Sequence, residues 1–532
     1  MAISSIWLLP MLSFFPDHGI SHIETSHQTL SSTFSINQTY RPSFHFHPSK
    51  NWINVWSNNS LVWGHSVSKD LVNWYSLPHA LTPTKPYDAN GCWSGSATII
   101  RYPKGKPIIL YIGIDQNFHE TQNLAVPKNV SDPLLMEWVK STKNPIMAPS
   151  LANKINATSF RDPSTAWLGH DNWWRVVVGT QEGDKGVALL FLSKDFGNWI
   201  KAKHPLFHST KRSTMGMWEC PDFFPVLTNG SFVGLDTSFG GPHVRHVLKV
   251  SALVGSHDCY LIGTYDTAKD SFVPDKGFED TESLPRYDYG KFYASKTFYD
   301  AARKRRVLWG WINESSVQED DLQKGWAGIQ AIPRTLWLDK SRKQLIQWPT
   351  MEIENLRTNP VNLHSRILKG GTLLEVSGVT AAQADVEISF EVNDLEKAQT
   401  LDPSWKLDPQ LLCSGGNGTK VKRGLGPFGL LVLASKGMQE HIYMISNDMT
   451  TYGVFVDVDP VHEDLSLRSL IDHSVVESFG AKGKACITAR VYPTLLAIND
   501  EAHMYAFNNG TLGMGMFWGA LLYLFALEAN GQ

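Results

Sequence analysis

The sequence predicts an all-β chain in two parts, a domain of many short strands over residues 38–350 and a β-sandwich over 363–511. Short runs rich in Val, Ile, Phe, Tyr and Trp recur between clusters of Gly, Pro, Asn and Asp, and no long stretch holds a helical period. A length of 532 residues also exceeds what one ordinary core organises. Such strands close as a sandwich, a barrel or a propeller. The length and the 19 Trp favour the propeller for the first part.

Taken in order, residues 1–30 open on an apolar stretch, Met1 to Phe15, that has the length of a signal peptide. It lacks a basic start and Pro10 interrupts it, so a cryptic signal peptide and an ordinary tail both stand as readings. Strand signals follow at Ser96 to Tyr102, Pro107 to Ile114, Trp173 to Gly179, Gly186 to Ser193, Phe232 to Asp236 and Val307 to Ile312. A polar connector is expected over Met351 to Asn362. Beyond it, Leu373 to Val376, Val386 to Val392, Gly429 to Leu433 and Ala485 to Val491 read as strands of two-sided antiparallel sheets. Residues 512–532 carry an uncharged run from Leu512 to Leu527, shorter than a membrane span, and read as an atypical apolar tail.

Composition narrows the function. Hydrophobic residues at 42% and charged residues at 19% are globular values and exclude a disordered chain. Lys and Arg total 48 against 51 Asp and Glu, a net charge of −3 that leaves no footprint for nucleic acid. Five Cys exclude a disulfide-dense scaffold, and no His/Cys cluster stands at metal-ligand spacing, so neither metal nor cofactor is expected. No feature calls for a membrane. Asn-X-Ser/Thr sequons at Asn37, Asn58, Asn129, Asn156, Asn229, Asn313, Asn417 and Asn509 are together the pattern of a chain exposed to the secretory route.

Three segments combine polar or charged side chains with aromatics and turns: Asn51-Trp52-Ile53-Asn54 running into Val55-Trp56, Ser159-Phe160-Arg161-Asp162-Pro163, and Met217-Trp218-Glu219-Cys220-Pro221-Asp222. An Arg next to an Asp holds that carboxylate ionised. A Glu between Trp and Cys-Pro is placed for desolvation, which raises its pKa toward service as a general acid. Singly, each has a plainer reading, as a turn with a surface ion pair or as a strand end.

Arg161-Asp162-Pro163 and Trp218-Glu219-Cys220-Pro221-Asp222 resemble the signatures of glycoside hydrolase family 32, the plant invertases and fructan exohydrolases. Gly91 to Ser96, Arg286 to Gly290, Trp309-Gly310-Trp311, Trp326 to Arg334 and Ile471 to Phe479 are similar to further family segments. The Pro after Glu-Cys resembles the cell-wall branch. The resemblance implies a five-bladed β-propeller followed by a β-sandwich. It also implies retaining hydrolysis of a terminal β-fructofuranosyl bond in fructan or sucrose, without a cofactor. By match, Glu219 is the acid/base, Asp162 stabilises the transition state and Arg161 orients it. Trp52, Asn54, Trp93 and Ser94 line the fructose site, and Trp56 matches an aromatic at its rim.

The chain departs from that pattern in three places. The family nucleophile is the Asp of an Asn-Asp-Pro-Asn-Gly run directly after Trp-X-Asn; here Asn54 is followed by Val55, and the strand-forming stretch that should come next is also gone. Between Asn54 and Tyr87 the single acidic residue is Asp70, which the family already has. Loss of a covalent nucleophile costs on the order of 10⁴ to 10⁶ in turnover, and the first blade is left incomplete. Second, Ala252-Leu253-Val254 stands where invertases carry an Asp and a Lys, which leans toward fructan. Third, a shortening between Glu440 and Tyr452 removes the Cys that resemblance would pair with Cys413, leaving Cys486 a free thiol.

The expectation is therefore a β-fructofuranosidase-type protein of the secretory pathway and cell wall, or alternatively the vacuole, impaired by the missing nucleophile. The alternatives are a catalytically silent fructan- or sucrose-binding or regulatory protein, and the product of a mis-spliced transcript.

Overall fold

The computed structural model describes residues 40–47, 51–53, 56–57, 60–100, 105–209, 215–279, 284–378, 381–392, 428–435, 442–443, 465–493, 502–508 and 516–525. Nearly all of the secondary structure is strand, with one α-helix, Gln318–Lys324, among the described residues.

Five antiparallel sheets follow one another along the first part of the chain as the blades of a propeller. The second blade is the meander Cys92–Ile100, Lys106–Ile114, Glu120–Pro127 and Trp138–Lys140. The third is built on Phe160–Arg161, Trp174–Glu182 and Lys185–Ser193, the last two joined through Gly183 at φ +63°. The fourth runs Trp218–Leu227, Val244–Ala252, His257–Asp266 and Ser271–Pro274, and the fifth is built on Phe292–Asp300, Arg305–Ile312, Arg334–Leu338 and Leu345–Pro349. Blades pack face to face, so their central strands are buried on both sides, which is why Ile108 to Ile114 and Val176 to Val178 read as continuous apolar runs.

The first blade is short. Its described sheet is the hairpin of Trp63–Ser68 with Trp74–Leu81, and Trp63 and Leu81 still pack on Cys92, Ile109 and Tyr111 of the second blade. The Asn51–Trp52 pair leaves this blade altogether and runs parallel to Trp326–Ala327.

The second part is a sandwich of a six-stranded and a four-stranded sheet around Val386, Ile388, Leu430, Val432, Ile471, Val476 and Met504. Its extent differs from the sequence reading at both ends. Strand Arg357–Leu368 begins inside the expected connector. The apolar stretch read as a tail supplies strand Met516–Phe525, which lies between Arg357–Leu368 and Gln383–Val392 and pairs with both. A strand bonded along both edges in a sheet interior is the place for an uncharged apolar run.

Phe232 to Asp236 is not a strand. Gly234 N donates to Lys304 O at 2.8 Å, and a Cβ at Gly234 would stand 2.4 Å from the Arg305–Arg306 backbone, so this segment is a loop pinned on the turn of the next blade. Cys92, Cys220 and Cys486 are buried free thiols, Cys259 is buried with its Sγ 3.8 Å from Val250 O, and Cys413 lies outside the described residues.

Candidate active site

The inner strands of three blades break register, two of them where the sequence motifs lie. The pairing slips between Trp93 and Gly95, between Glu219 and Asp222, and between Tyr293 and Lys296. Asp162, Cys220 and Ala294 sit at φ +64°, +46° and +56°. Bulges and left-handed non-glycine residues re-aim side chains at a local backbone cost, and they gather where function needs them. Here they turn Glu219, Asp162 and Tyr293 toward one another.

Glu219 is fully buried on the first strand of the fourth blade. Its Oε1 accepts from Arg161 Nη1 at 3.1 Å and its Oε2 accepts from the Tyr293 hydroxyl at 2.7 Å. Tyr293 OH also lies 3.1 Å from Ala252 O. Burial pushes the Glu219 carboxyl up to about 8, with the charges of Asp162 and Glu120 adding to the rise while Arg161 and the Tyr293 hydrogen bond oppose it. At neutral pH this group holds a proton, the state a general acid requires.

Arg161 is a bridge. It meets Glu219 on one side, and on the other its Nη2 lies 2.7 Å from Glu120 Oε1 and its Nε donates to Glu120 Oε2 at 3.1 Å. Glu120 Oε2 also accepts from Phe160 N at 2.6 Å, which fixes the strand that carries Arg161. The guanidinium stands 5.9 Å from the Trp93 ring centre, within cation–π range. Asp162, one residue on, is buried and its Oδ2 accepts from Cys220 N at 2.9 Å, with Cys220 Sγ at 3.5 Å. Asp162 and the strand that carries Glu219 thus share a direct bond.

Beneath them Lys296 Nζ reaches Ser96 Oγ at 3.3 Å and the carbonyls of Asp162, Pro163 and Pro221 at 3.4, 3.2 and 3.1 Å. One ammonium from the fifth blade thereby ties the second, third and fourth blades; burial lowers its pKa.

The other expected residues divide. Trp93 is half-buried in the site and Ser94 is buried next to it. Trp52 is half-buried on its strand against Trp326–Ala327. Asn54 lies outside the described residues, and Trp56 is described through its backbone pairing with Leu61 alone. Asp70, the one acidic residue near the break, is engaged elsewhere: its Oδ1 accepts from Val72 N and Asn73 N at 3.0 and 2.8 Å. Asn129, Asn156 and Asn229 are exposed and Asn313 is half-buried; Asn37, Asn58, Asn417 and Asn509 fall outside the described residues.

Glu120, Tyr293 and Lys296 were missed from sequence. Tyr293 stands three residues beyond the quoted Arg286 to Gly290 segment, and Glu120 opens the strand Glu120–Pro127 on the polar run Glu-Thr-Gln-Asn with no motif around it. For a metal, the described cluster is Glu354, Asp385 and Glu387 in the sandwich. Arg357 and Arg468 already neutralise it, at 2.5 and 2.6 Å from Asp385 Oδ2. A cavity of about 330 Å³ lined by Trp167, Asp171, Phe239, His246 and Tyr265 contains none of the expected site residues.

Residues 33–349 match the glycosyl hydrolases family 32 N-terminal domain and residues 352–516 match the family 32 C-terminal domain. The chain belongs to glycoside hydrolase family 32. It is 54% identical to the cell wall isozyme of beta-fructofuranosidase from Pisum sativum, over 94% of this chain and 99% of that one. It is 52% identical to fructan 6-exohydrolase from Beta vulgaris, over 89% of this chain and 84% of that one. Fructan 1-exohydrolase IIa from Cichorium intybus, solved with 1-kestose, superposes at a TM-score of 0.84 with 44% identity, over 92% of this chain and 98% of the other. By family, then, this family 32 chain is a glycosidase of the invertase and fructan exohydrolase type, on the propeller-plus-sandwich fold.

Proposed function

We propose that this chain carries the acid/base half of a retaining β-fructofuranosidase, with fructan or sucrose as its ligand, and that turnover is held back because Asn54 runs straight into Val55. The carrying observation is Glu219, buried, protonated at neutral pH, and held between Arg161 and Tyr293. In the reaction this geometry serves, Glu219 gives its proton to the leaving oxygen as the bond to the fructose anomeric carbon breaks. Asp162 offers charge to the fructose hydroxyls and the positive anomeric centre, and Glu219 then takes a proton from water. Attack by a carboxylate on the far side of that carbon is the step of the family Asp that should follow Asn54, where this chain has Val55.

Fructan is favoured over sucrose. Leu253 and Val254 are exposed and neutral at the hairpin beyond Ala252, and Val254 N donates to Met215 O just before the Glu219 strand. Names of relatives place this type in the cell wall, which, with exposed sequons at Asn129, Asn156 and Asn229, supports a glycosylated secreted protein.

The test is fructose release from 1-kestose, inulin and sucrose by the purified chain, together with fructose and 1-kestose binding by calorimetry. The reading expects binding with turnover at least ~10⁴-fold below a nucleophile-bearing family member. Turnover at the ordinary family rate would sink it. Binding with no release at all would favour the silent binding protein, a reading that the intact Trp93–Arg161–Asp162 wall also supports. Transcript sequencing across the Asn54–Val55 junction tests the mis-splicing alternative directly.

A further inference from the structure

Glu314 sits three residues beyond Trp311, the ring that packs on Cys220, Tyr293 and Ala294 beside the acid/base. Its side chain is almost buried and gathers groups from both domains. On the propeller side, Oε1 accepts from Gly328 N at 2.6 Å, and Lys324 Nζ stands 3.4 Å from Oε2. On the sandwich side, Arg490 Nη2 lies 3.2 and 3.0 Å from the two carboxylate oxygens, and the Tyr492 hydroxyl donates to Oε2. Arg490 is itself anchored by Ser474, whose Oγ it reaches at 2.8 Å, and Tyr492 OH accepts from Arg490 Nη2 at 2.7 Å and from Lys324 Nζ at 2.9 Å.

What Glu314 holds on the propeller side is the backbone that supports Trp52. Gly328 directly follows Trp326–Ala327, the strand on which Asn51–Trp52 is laid in parallel, and Ile53 N donates to Ala327 O at 2.8 Å. Gly328 lies at φ +75°, and a Cβ there would stand 2.7 Å from Trp311 Nε1 and 3.2 Å from Ile53 Cβ. The contact is therefore close on every side. Trp326 is meanwhile gripped by three cations, Lys324, Arg490 and Arg41, at 5.0, 5.4 and 5.6 Å from its ring centre. An ionised carboxylate bonded to a backbone N–H and to a guanidinium is a strong tether on both sides.

We propose that Glu314 is a positioning residue of the sugar site, held in place by Arg490 and Tyr492, so that the sandwich sets the placement of the strand carrying Trp52. The inference rests on Trp52 being a wall of the fructose site. It gives the second domain a task in sugar binding without any contact to sugar. The short first blade makes that task heavier, because Asn51–Trp52 borrows its pairing from Trp326–Ala327.

The experiment uses the full chain and four variants, with fructose binding by calorimetry and amide exchange in the peptide containing Ile53. Glu314→Gln keeps an acceptor but loses the charge, and Tyr492→Phe removes one hydroxyl as a milder change that keeps the ring. Glu352→Gln is the control, a buried carboxylate paired with Arg305 at 2.6 Å and with Arg303, not with Gly328 or Arg490. Trp52→Ala tests the underlying reading.

Glu314→Gln is expected to weaken fructose binding at least tenfold and to speed exchange at Ile53 at least tenfold. Tyr492→Phe is expected to give about a third of each effect on a logarithmic scale, and Glu352→Gln neither, although all three lower the melting temperature. Equal effects from Glu314→Gln and Glu352→Gln, or unchanged Ile53 exchange in Glu314→Gln, would overturn the proposal. If Glu314→Gln does not fold, Tyr492→Phe decides by the same readouts. If Trp52→Ala binds as the parent does, or the parent binds no fructose, the reading of Trp52 falls. Ile53 exchange still judges the clamp in that case, with acceleration upholding it and no change removing it.

Discussion

The Tyr293 hydroxyl donates to Glu219 Oε2 at 2.7 Å, from a strand of the neighbouring blade 74 residues away in sequence. This bond favours the ionised carboxyl and so opposes the burial that pushes Glu219 up to about 8. Arg161, at 3.1 Å from the other oxygen, works in the same direction. The proton on Glu219 is thus set by a balance between desolvation and two donors, each of which can be removed singly.

Tyr293→Phe removes one donor and leaves the ring in place. Glu219 is then expected to titrate above its parent value of about 8. Difference infrared titration of the carboxyl band, with Glu219→Gln as the blank, measures this. A midpoint at or below the parent's would mean that the hydroxyl does not tune Glu219.

Glu219→Gln is expected to stabilise the fold above pH 5. A carboxyl held at about 8 in the fold and at the ordinary 4.5 in the unfolded chain costs about 3 kcal/mol at pH 7, since each tenfold change in proton affinity is ~1.4 kcal/mol. The folded state binds the extra proton, so its stability is full below 4.5 and falls as pH rises toward 8. Gln carries no charge and its carbonyl accepts from Arg161 or Tyr293. Urea midpoints at pH 5 and pH 8 decide: the gap between variant and parent must widen with pH.

That Arg161, Asp162 and Glu219 belong to one cluster was legible in sequence because they sit in contiguous motifs, Arg161-Asp162-Pro163 and Trp218-Glu219-Cys220-Pro221-Asp222. Their partners were not. Glu120 meets Arg161 across 41 residues, and Lys296 meets Ser96 across 200, contacts set by blade closure rather than by any local pattern. The strand period likewise announced an all-β chain, but Phe232 to Asp236 shows its limit. Its aromatic and β-branched composition is that of a strand, yet Phe232 is exposed and Gly234 is pinned on another turn. The Met516–Phe525 strand was unreadable for the opposite reason: an apolar run does not say with which two strands, more than 100 residues earlier in the chain, it pairs.

His45 joins the two domains. Its Nδ1 lies 2.9 Å from Asp472 and its Nε2 3.0 Å from Glu477, all fully buried, and Glu477 is also met by Arg334 at 2.6 Å while His473 stands 3.2 Å from Asp472. Burial alone would lower the imidazole, but the hydrogen bonds and charges of Asp472 and Glu477 outweigh it and raise it above 6.5. The protonated ring therefore stabilises the fold fully below 6.5, and that contribution is lost as pH rises through the raised value. In a Glu219→Gln background, which removes the slope of the same sign that Glu219 contributes, the urea midpoint is expected to fall above pH 6.5. His45→Gln is expected to start lower and stay flat over the same range. A Glu219→Gln curve without that decline would exclude a charged His45.

Gly179 controls how closely the third blade approaches the strand that carries Glu219. It pairs with Arg161 in the sheet, and a Cβ there would stand 2.2 Å from Trp218 O and 3.3 Å from Arg161 O. Both neighbours are backbone atoms, so no side chain can swing aside, and the blades must separate to admit even a methyl group. Gly179→Ala is expected to destabilise the fold by about 1–3 kcal/mol, the usual range for overpacking. It is also expected to lengthen the Arg161–Glu219 contact, leaving Glu219 with less opposition to burial and a higher pKa than the parent. Gly183→Ala, where a Cβ meets nothing within 4 Å but φ is +63°, separates backbone strain from crowding. It should cost stability and leave the Glu219 titration where it was. If Gly179→Ala also left that titration unmoved, the close approach at Gly179 would be a matter of packing alone.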